Sequence, residues 1–225
     1  MSVTGAANPM VVRVAAVDKA FAAGTNARRV LDGVDLTLGA GEIVAVSGPS
    51  GSGKTTLLGL VAGWVQPDGG SVLVLDGAHA PSKYGWHELA FLPQSLGLLD
   101  ELTLVENVTL PLRLRDQASA DAALLLGRLG IDHLRDRYPL EVSLGEQQRA
   151  ALARAVIARP QVLVADEPVA HQDRARAESM MDLLRDLAAE GTACLLATHD
   201  DIAFAAADRV LHLSDGHLGP TVRAR

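Results

Sequence analysis

The segment GPSGSGKTT, Gly48 to Thr56, constrains this chain more than any other. It fits the pattern G-x-x-x-x-G-K-[ST], follows the apolar run EIVAVS and opens the periodic stretch TTLLGLVAG, so a strand feeds through a glycine turn into a helix. In that setting Gly48, Pro49, Ser50, Gly51, Ser52 and Gly53 trace a tight path whose N–H groups turn towards phosphate. Lys54 brings a cation to the β- and γ-phosphates, Thr55 offers a hydroxyl to Mg²⁺, and Thr56 completes the binding segment. A flexible Gly-Ser turn is the alternative, and the strand, the helix and the lysine all argue against it.

A strand-loop-helix unit of this kind belongs in an α/β fold, and the rest of the chain supplies the layers. Apolar strand-like runs recur at MVVRVAAV, EIVAVSG, SVLVLDG, LAFLPQ, QVLVADEP, ACLLATH and RVLHLSDG, some of them separated by helical patterns. Helices are expected after Gly53, around RAALARAVIARP and over RAESMMDLLRDLAAEG. In the last, Ala177, Met181, Leu184 and Ala188 share one face and read as core, and Gly191 supplies the stop. Between about residues 95 and 142 the strand signals give way to Leu- and Ala-rich stretches such as ADAALLLGRLG, which read as a helical subdomain inserted into the α/β unit. With no internal repeat or linker, and 48% hydrophobic residues for a core, residues 1–225 read as one domain.

Composition excludes several function classes. The formal charge is -7, with 27 acidic against 20 basic residues, which argues against a nucleic-acid-binding surface and against recruitment to anionic lipid. No stretch approaches the roughly 18 apolar residues of a membrane span, and MSVTGAANPMVVRV lacks a charged region followed by an apolar one, so no direct membrane insertion is expected. The single cysteine, Cys194, lies in an apolar run and leaves neither a disulfide framework nor a cysteine metal site, in keeping with a reducing cytoplasm. ATP is itself an anion, so its site must be built locally against the overall charge.

Mg²⁺ needs a further protein contact and hydrolysis an oriented water. The run VLVADEP ends in the carboxylates of Asp166 and Glu167: Asp166 closes a buried apolar strand, a costly place for a charge unless it serves a metal, and Glu167 beside it can polarise the attacking water. Gln94 in FLPQS and His199 in LLATHD sit at further strand ends, where each is either functional or a polar residue leaving a sheet. In VSLGEQQRA, Ser143 and Glu146 have the spacing of a capping box that starts a helix. The same helix N-terminus could instead hold another chain's nucleotide phosphate.

The order of these features, a P-loop, then Gln94, a helical segment, SLGEQQR, ADEP and His199, resembles the nucleotide-binding subunits of ABC transporters over nearly the whole chain. The resemblance implies a P-loop ATPase binding ATP and Mg²⁺. It implies that Gln94 touches Mg²⁺ or water and links the site to the helical insertion, that Asp166 serves the metal with Thr55, that Glu167 activates water, and that His199 contacts the γ-phosphate. Asp173 falls where the family's dimer-spanning loop ends. Phe21 falls where an aromatic stacks on adenine, an interaction on the order of 1 to 3 kcal/mol; an ordinary core residue of the first strand region is the alternative. Two such subunits sandwich two ATP, each signature loop covering the other's P-loop, so Ser143, Gly145 and Glu146 would contact a partner's nucleotide. Gly145 and Ser143 match that motif, Glu146 stands where glutamine is usual, and Leu144 replaces a glycine.

The segment FLPQSLGLLDELTLVENVTLPLRLR resembles the lipoprotein-releasing, macrolide-exporter and cell-division branch. That implies an integral membrane permease as partner, with Leu98 and Leu99 either in its docking groove or in the insertion's core, and a peripheral place on the cytoplasmic side. A homodimer or a heterodimer is open. An ATP-gated regulatory module that moves no solute is the alternative function. A soluble ABC ATPase of translation or repair fits less well, since those usually carry paired nucleotide domains or long insertions.

Overall fold

The computed structural model describes residues 9–23, 26–75, 77, 80–116 and 122–220. The start of the N-terminal stretch, the beginning of ADAALLLGRLG and the last five residues lie outside that set.

Two sheets enclose one apolar cluster, and a second cluster lies on the helical side of the larger sheet. The larger consists of β3 (Ile43–Ser47), β5 (Leu89–Leu92), β6 (Val162–Asp166), β7 (Ala193–Ala197) and β8 (Arg209–Ser214), closed by the short β9 (His217–Pro220); its central strands β3, β6 and β7 are near-continuous apolar runs because both of their faces are covered. The strand order is β5-β6-β7-β3-β8-β9, parallel except for the β8–β9 hairpin. Side chains alternate between two clusters: in β6, Leu163 and Ala165 face the helical side, whereas Val162 and Val164 face the second sheet.

That second sheet is antiparallel, order β2-β1-β4, from β1 (Met10–Ala23), β2 (Asn26–Gly39) and β4 (Gly69–Val74). β2 lies outside the apolar runs named above. Its signal is the alternation Val34-Asp35-Leu36-Thr37-Leu38, in which Val34, Leu36 and Leu38 are buried and Asp35 and Thr37 exposed, as in a half-buried strand.

Helix α1 (Lys54–Val61) packs between the sheets, with Leu57, Leu58, Leu60 and Val61 buried. Between β5 and β6 the described residues contain α2 (Leu104–Arg113), α3 (Ala122–Arg128) and α4 (Leu144–Val156). Thr103 and Glu106 cap α2 reciprocally. Buried Asn107 ties the preceding turn through Leu99 and Leu102. Helix α5 (Arg174–Ala189) buries Ala177, Met181, Leu184 and Ala188, the face read as core. The small α6 (Asp201–Ala206) follows β7. Cys194 is fully buried in β7, which pushes its thiol up to about 12 and leaves it inert.

Candidate functional site

In a parallel sheet the loops after the strands open on one edge, and there the ligand crevice forms. Here that edge collects the loop after β3, Gln94 after β5, Glu167 after β6 and His199 after β7. The phosphate loop is held by close packing: a Cβ on Gly48, whose φ is 144°, would lie 2.2 Å from the carbonyl oxygen of Leu213, so only glycine fits. The ammonium of Lys54 donates to the carbonyl oxygens of Gly48 at 2.8 Å and Pro49 at 3.1 Å, which parks a cation where phosphate oxygens can replace the carbonyls.

At the second residue of α1, the hydroxyl of Thr55 donates to Asp166 Oδ2 at 2.6 Å. Asp166 is 3% exposed. Burial raises its carboxyl above the ordinary range against the opposing pull of the Thr55 hydroxyl, and the neighbouring Glu167 adds to the rise. Gln94 lines a cavity of about 480 Å³ together with Thr55, Asp166, Trp64 and Phe91. Two hard oxygens and an amide on one cavity suit a cation such as Mg²⁺, which keeps water and substrate oxygens in its remaining places. Among the described residues no group of three or more His, Cys, Asp or Glu side chains could hold a metal.

Glu167 is held from several sides. Its N–H donates to the carbonyl oxygen of Ala197 at 2.8 Å, its φ of 52° turns the chain out of the strand, and its Oε1 lies 2.8 Å from Nδ1 of His199. The imidazole is 80% exposed and the carboxylate 15%, so the pair faces the crevice with the acid sheltered.

Phe21 is no core residue: it is 45% exposed on β1, with the Lys19 ammonium 5.4 Å from its ring centroid. It pairs directly with Arg28 of β2, whose guanidinium donates to the carbonyl oxygen of Gly51 at 3.4 Å. Directly paired residues share a sheet face, so the ring is on the face from which Arg28 reaches the phosphate loop.

Ser143 caps α4. Its hydroxyl and N–H both donate to Glu146 Oε2 at 2.8 Å, while Glu146 N–H returns a 3.4 Å bond to the hydroxyl; these bonds hold Glu146 below the usual carboxylate range. A Cβ on Gly145 would lie 2.9 Å from the carbonyl oxygen of His171, so this glycine serves the chain's own packing. Leu144 points outward and is 49% exposed. Asp173 caps α5, accepting from Arg176 N–H at 2.9 Å. Among the described residues no hydrogen bond joins Ser143, Gly145 or Glu146 to residues 48–56. A larger cavity, about 600 Å³, lies at Thr37, Glu42, Asp208 and Arg209. Its polar groups are already paired within the fold, Arg209 to Glu42 and Asp208 to the Ile43 N–H.

A family model described as ABC transporter matches residues 31–170. The chain belongs to the ABC transporter family. It is 40% identical over 220 residues to the lipoprotein-releasing system ATP-binding protein LolD of Acinetobacter baylyi, covering 92% of this chain and 96% of that protein. To the LolD 1 protein of Caulobacter vibrioides it is 36% identical, covering 95% and 96% respectively. Among solved structures it matches the ATP-binding cassette MJ0796, in a dimeric post-hydrolysis state bound to ADP and Pi, with a TM-score of 0.85 and 28% identity over 95% of this chain and 100% of that one. As a family member with this fold, the chain is an ATP-hydrolysing cassette.

Sequence reasoning passed over several residues that tie this ABC cassette together. Gln148 reaches from α4 to the backbone at Glu167 and Pro168, and Gln172 donates to the Gly145 carbonyl while accepting from Arg149. Arg154 donates to the carbonyls of Leu96 and Gly97, just after Gln94. The available signal was a set of long polar side chains interrupting the Ala- and Leu-rich run QQRAALARAV, where burial demands partners.

Proposed function

We propose that this chain pairs with a second nucleotide-binding subunit around two Mg²⁺-ATP and that the resulting cycle drives a lipoprotein-releasing permease. The observation that carries this reading is the Thr55–Asp166 contact of 2.6 Å beside the Glu167–His199 contact of 2.8 Å. It sets a cation site and a water-activating site side by side at the end of a phosphate loop.

On binding, Lys54 exchanges the carbonyls of Gly48 and Pro49 for β- and γ-phosphate oxygens, and loop N–H groups between Ser50 and Thr56 donate to the rest of the triphosphate. Thr55, Asp166 and Gln94 would hold Mg²⁺, which supplies charge neutralisation on the phosphates. Glu167 then accepts a proton from the attacking water as its oxygen bonds to the γ-phosphorus. The bond to the β-phosphate oxygen breaks and ADP keeps that electron pair. His199, held by Glu167 through one ring nitrogen, offers the other to the γ-phosphate.

The partner's nucleotide would meet Ser143, Gly145 and Glu146, and Asp173 would lie at the seam. The cassette acts from the cytoplasmic side through its permease. No described helix is long and apolar enough to cross a membrane. Of Leu98 and Leu99, Leu98 packs on the core and Leu99 is 44% exposed, so Leu99 is the one available to a permease helix. The relatives matched carry a lipoprotein-release description, which favours transport over a regulatory module. Co-purification with the membrane partner and reconstitution into vesicles test this: ATP should drive release of a lipoprotein. Turnover without any release would overturn it.

Two substitutions probe the nucleotide contacts. Phe21→Ala should weaken ATP by the loss of one stacked base, about 1 to 3 kcal/mol or roughly five- to 150-fold in Kd, and GTP by a similar factor. Calorimetry on both nucleotides checks it; an unchanged Kd removes Phe21 from the site. Leu144→Gly sets two effects against each other. Glycine in the first turn of α4 costs up to about 1 kcal/mol, yet it removes a side chain that stands where the partner's phosphate must approach. ATP-dependent dimerisation of a Glu167→Gln background should therefore rise, by sedimentation, despite a slightly lower Tm. Dimerisation that stays level or falls would mean Leu144 is no obstacle.

A further inference from the structure

A buried amide needs hydrogen-bond partners, because an unpaired polar atom away from water is costly. Gln148 is 2% exposed, in the second turn of α4. Its Nε2 faces two carbonyl oxygens, that of Glu167 at 3.0 Å and that of Pro168 at 3.1 Å. Both are acceptors, so the amide orientation is dictated: the NH₂ end must point at them, spending one proton on each.

The residue so gripped is the one with unusual backbone. Glu167 has a φ of 52°, a left-handed conformation that side chains other than glycine seldom adopt and that persists only when neighbours over-determine it. Its N–H is fixed to Ala197, and its carbonyl also receives the Ala170 N–H at 3.1 Å. Among the described residues, Gln148 is the side chain that joins these backbone bonds to hold Glu167 and Pro168 from another element.

We propose that Gln148 is a positioning residue for hydrolysis, fixing the backbone at Glu167 so that its carboxylate meets the attacking water. The inference rests on Glu167 being the proton acceptor. Gln148 is buried and its bonds go to the backbone of Glu167 and Pro168, so it acts through the turn that carries the Glu167 carboxylate. Loss of the grip lets the turn at Glu167–Pro168 relax and moves the carboxylate off the water, while Lys54, Thr55 and Asp166 stay in place. An ångström of misplacement is worth about 10²-fold in rate.

Gln148→Met keeps the length and removes both donors. Single-turnover hydrolysis should fall about ten- to a hundredfold, with the ATP Kd within about twofold of wild type and ATP-dependent dimerisation retained. A purely structural role would lower Tm and scale all three together. The decisive measurement is the cycle with Glu167→Gln. In that background Gln148→Met should change the residual hydrolysis less than about twofold, because the group it positions is already gone. Wild-type turnover in Gln148→Met, or a loss that multiplies in full in the double variant, overturns the proposal. Gln148→Asn, which keeps the amide but falls short of both carbonyls, carries the same expectations if the Met variant does not fold. Should Glu167→Gln itself hydrolyse normally, it is the catalytic reading that fails. If Glu167→Gln is slow and Gln148→Met is not, only Gln148 is excluded.

Discussion

Glu167→Gln should slow ATP hydrolysis by about 10² to 10⁴ while leaving ATP binding intact, so that an ATP-bound pair of chains accumulates. The amide matches the carboxylate in size and can still bond the imidazole of His199, which lies 2.8 Å away. It has no basicity at neutral pH to take the proton of the attacking water. Binding is spared because the cation contact belongs to the neighbouring residue: Asp166, through Oδ2, meets Thr55, and Lys54 is untouched. The backbone is spared as well, since the Glu167 N–H bond to Ala197 and the carbonyl bonds to Gln148 and Ala170 do not involve the side chain. The expected signature is therefore a normal Kd, a Tm within a few degrees of wild type, a collapsed single-turnover rate and a nucleotide-dependent dimer by sedimentation. An unchanged turnover number would assign the proton transfer elsewhere.

What the sequence made legible was whatever is local. The P-loop could be read because strand, glycine turn, lysine and helix are contiguous, and Ser143 with Glu146 because a capping box spans four residues; the structure forms that box. The stripe Ala177, Met181, Leu184 and Ala188 needed only helical spacing. Contacts between distant segments left no such trace. Thr55 and Asp166 are 111 positions apart, and only the general requirement for a second Mg²⁺ contact drew attention to the carboxylate. Gln148 and Arg154 look like solvent-facing residues of an amphipathic helix until the chain segments they hold, at Glu167 and at Leu96, are folded against them. Phe21 was ambiguous for a related reason. A residue on a two-layer strand can face core or solvent, and the pairing of β1 with β2, a strand missed in the sequence, decides which. The positive φ at Glu167 was hidden as well, because a glutamate gives no warning of it, unlike a glycine.

Lys54→Ala should abolish high-affinity ATP binding and leave the fold intact. Three terms decide the outcome. In the fold itself the substitution releases the carbonyls of Gly48 and Pro49 from bonds of 2.8 and 3.1 Å. They lie on a partly exposed loop that water can satisfy, and alanine is at least as good a helix former as lysine at the start of α1. The cost to stability is therefore small, within about 1 kcal/mol either way. Towards ATP the substitution removes the cation from the β- and γ-phosphates. Truncating one partner of a hydrogen-bonded charge pair costs about 2 to 5 kcal/mol, or roughly thirtyfold to several thousandfold in Kd. The third term adds to the second: the formal charge goes from -7 to -8, since one lysine is lost, and a more acidic chain meets a highly charged anion. That long-range part is screened by salt, so the loss should shrink only slightly at higher ionic strength and remain large at any. Calorimetry with ATP, beside a thermal melt of the same protein, separates the terms. A Kd within about threefold of wild type, with an unchanged melt, would show that residues 48–56 do not hold the triphosphate.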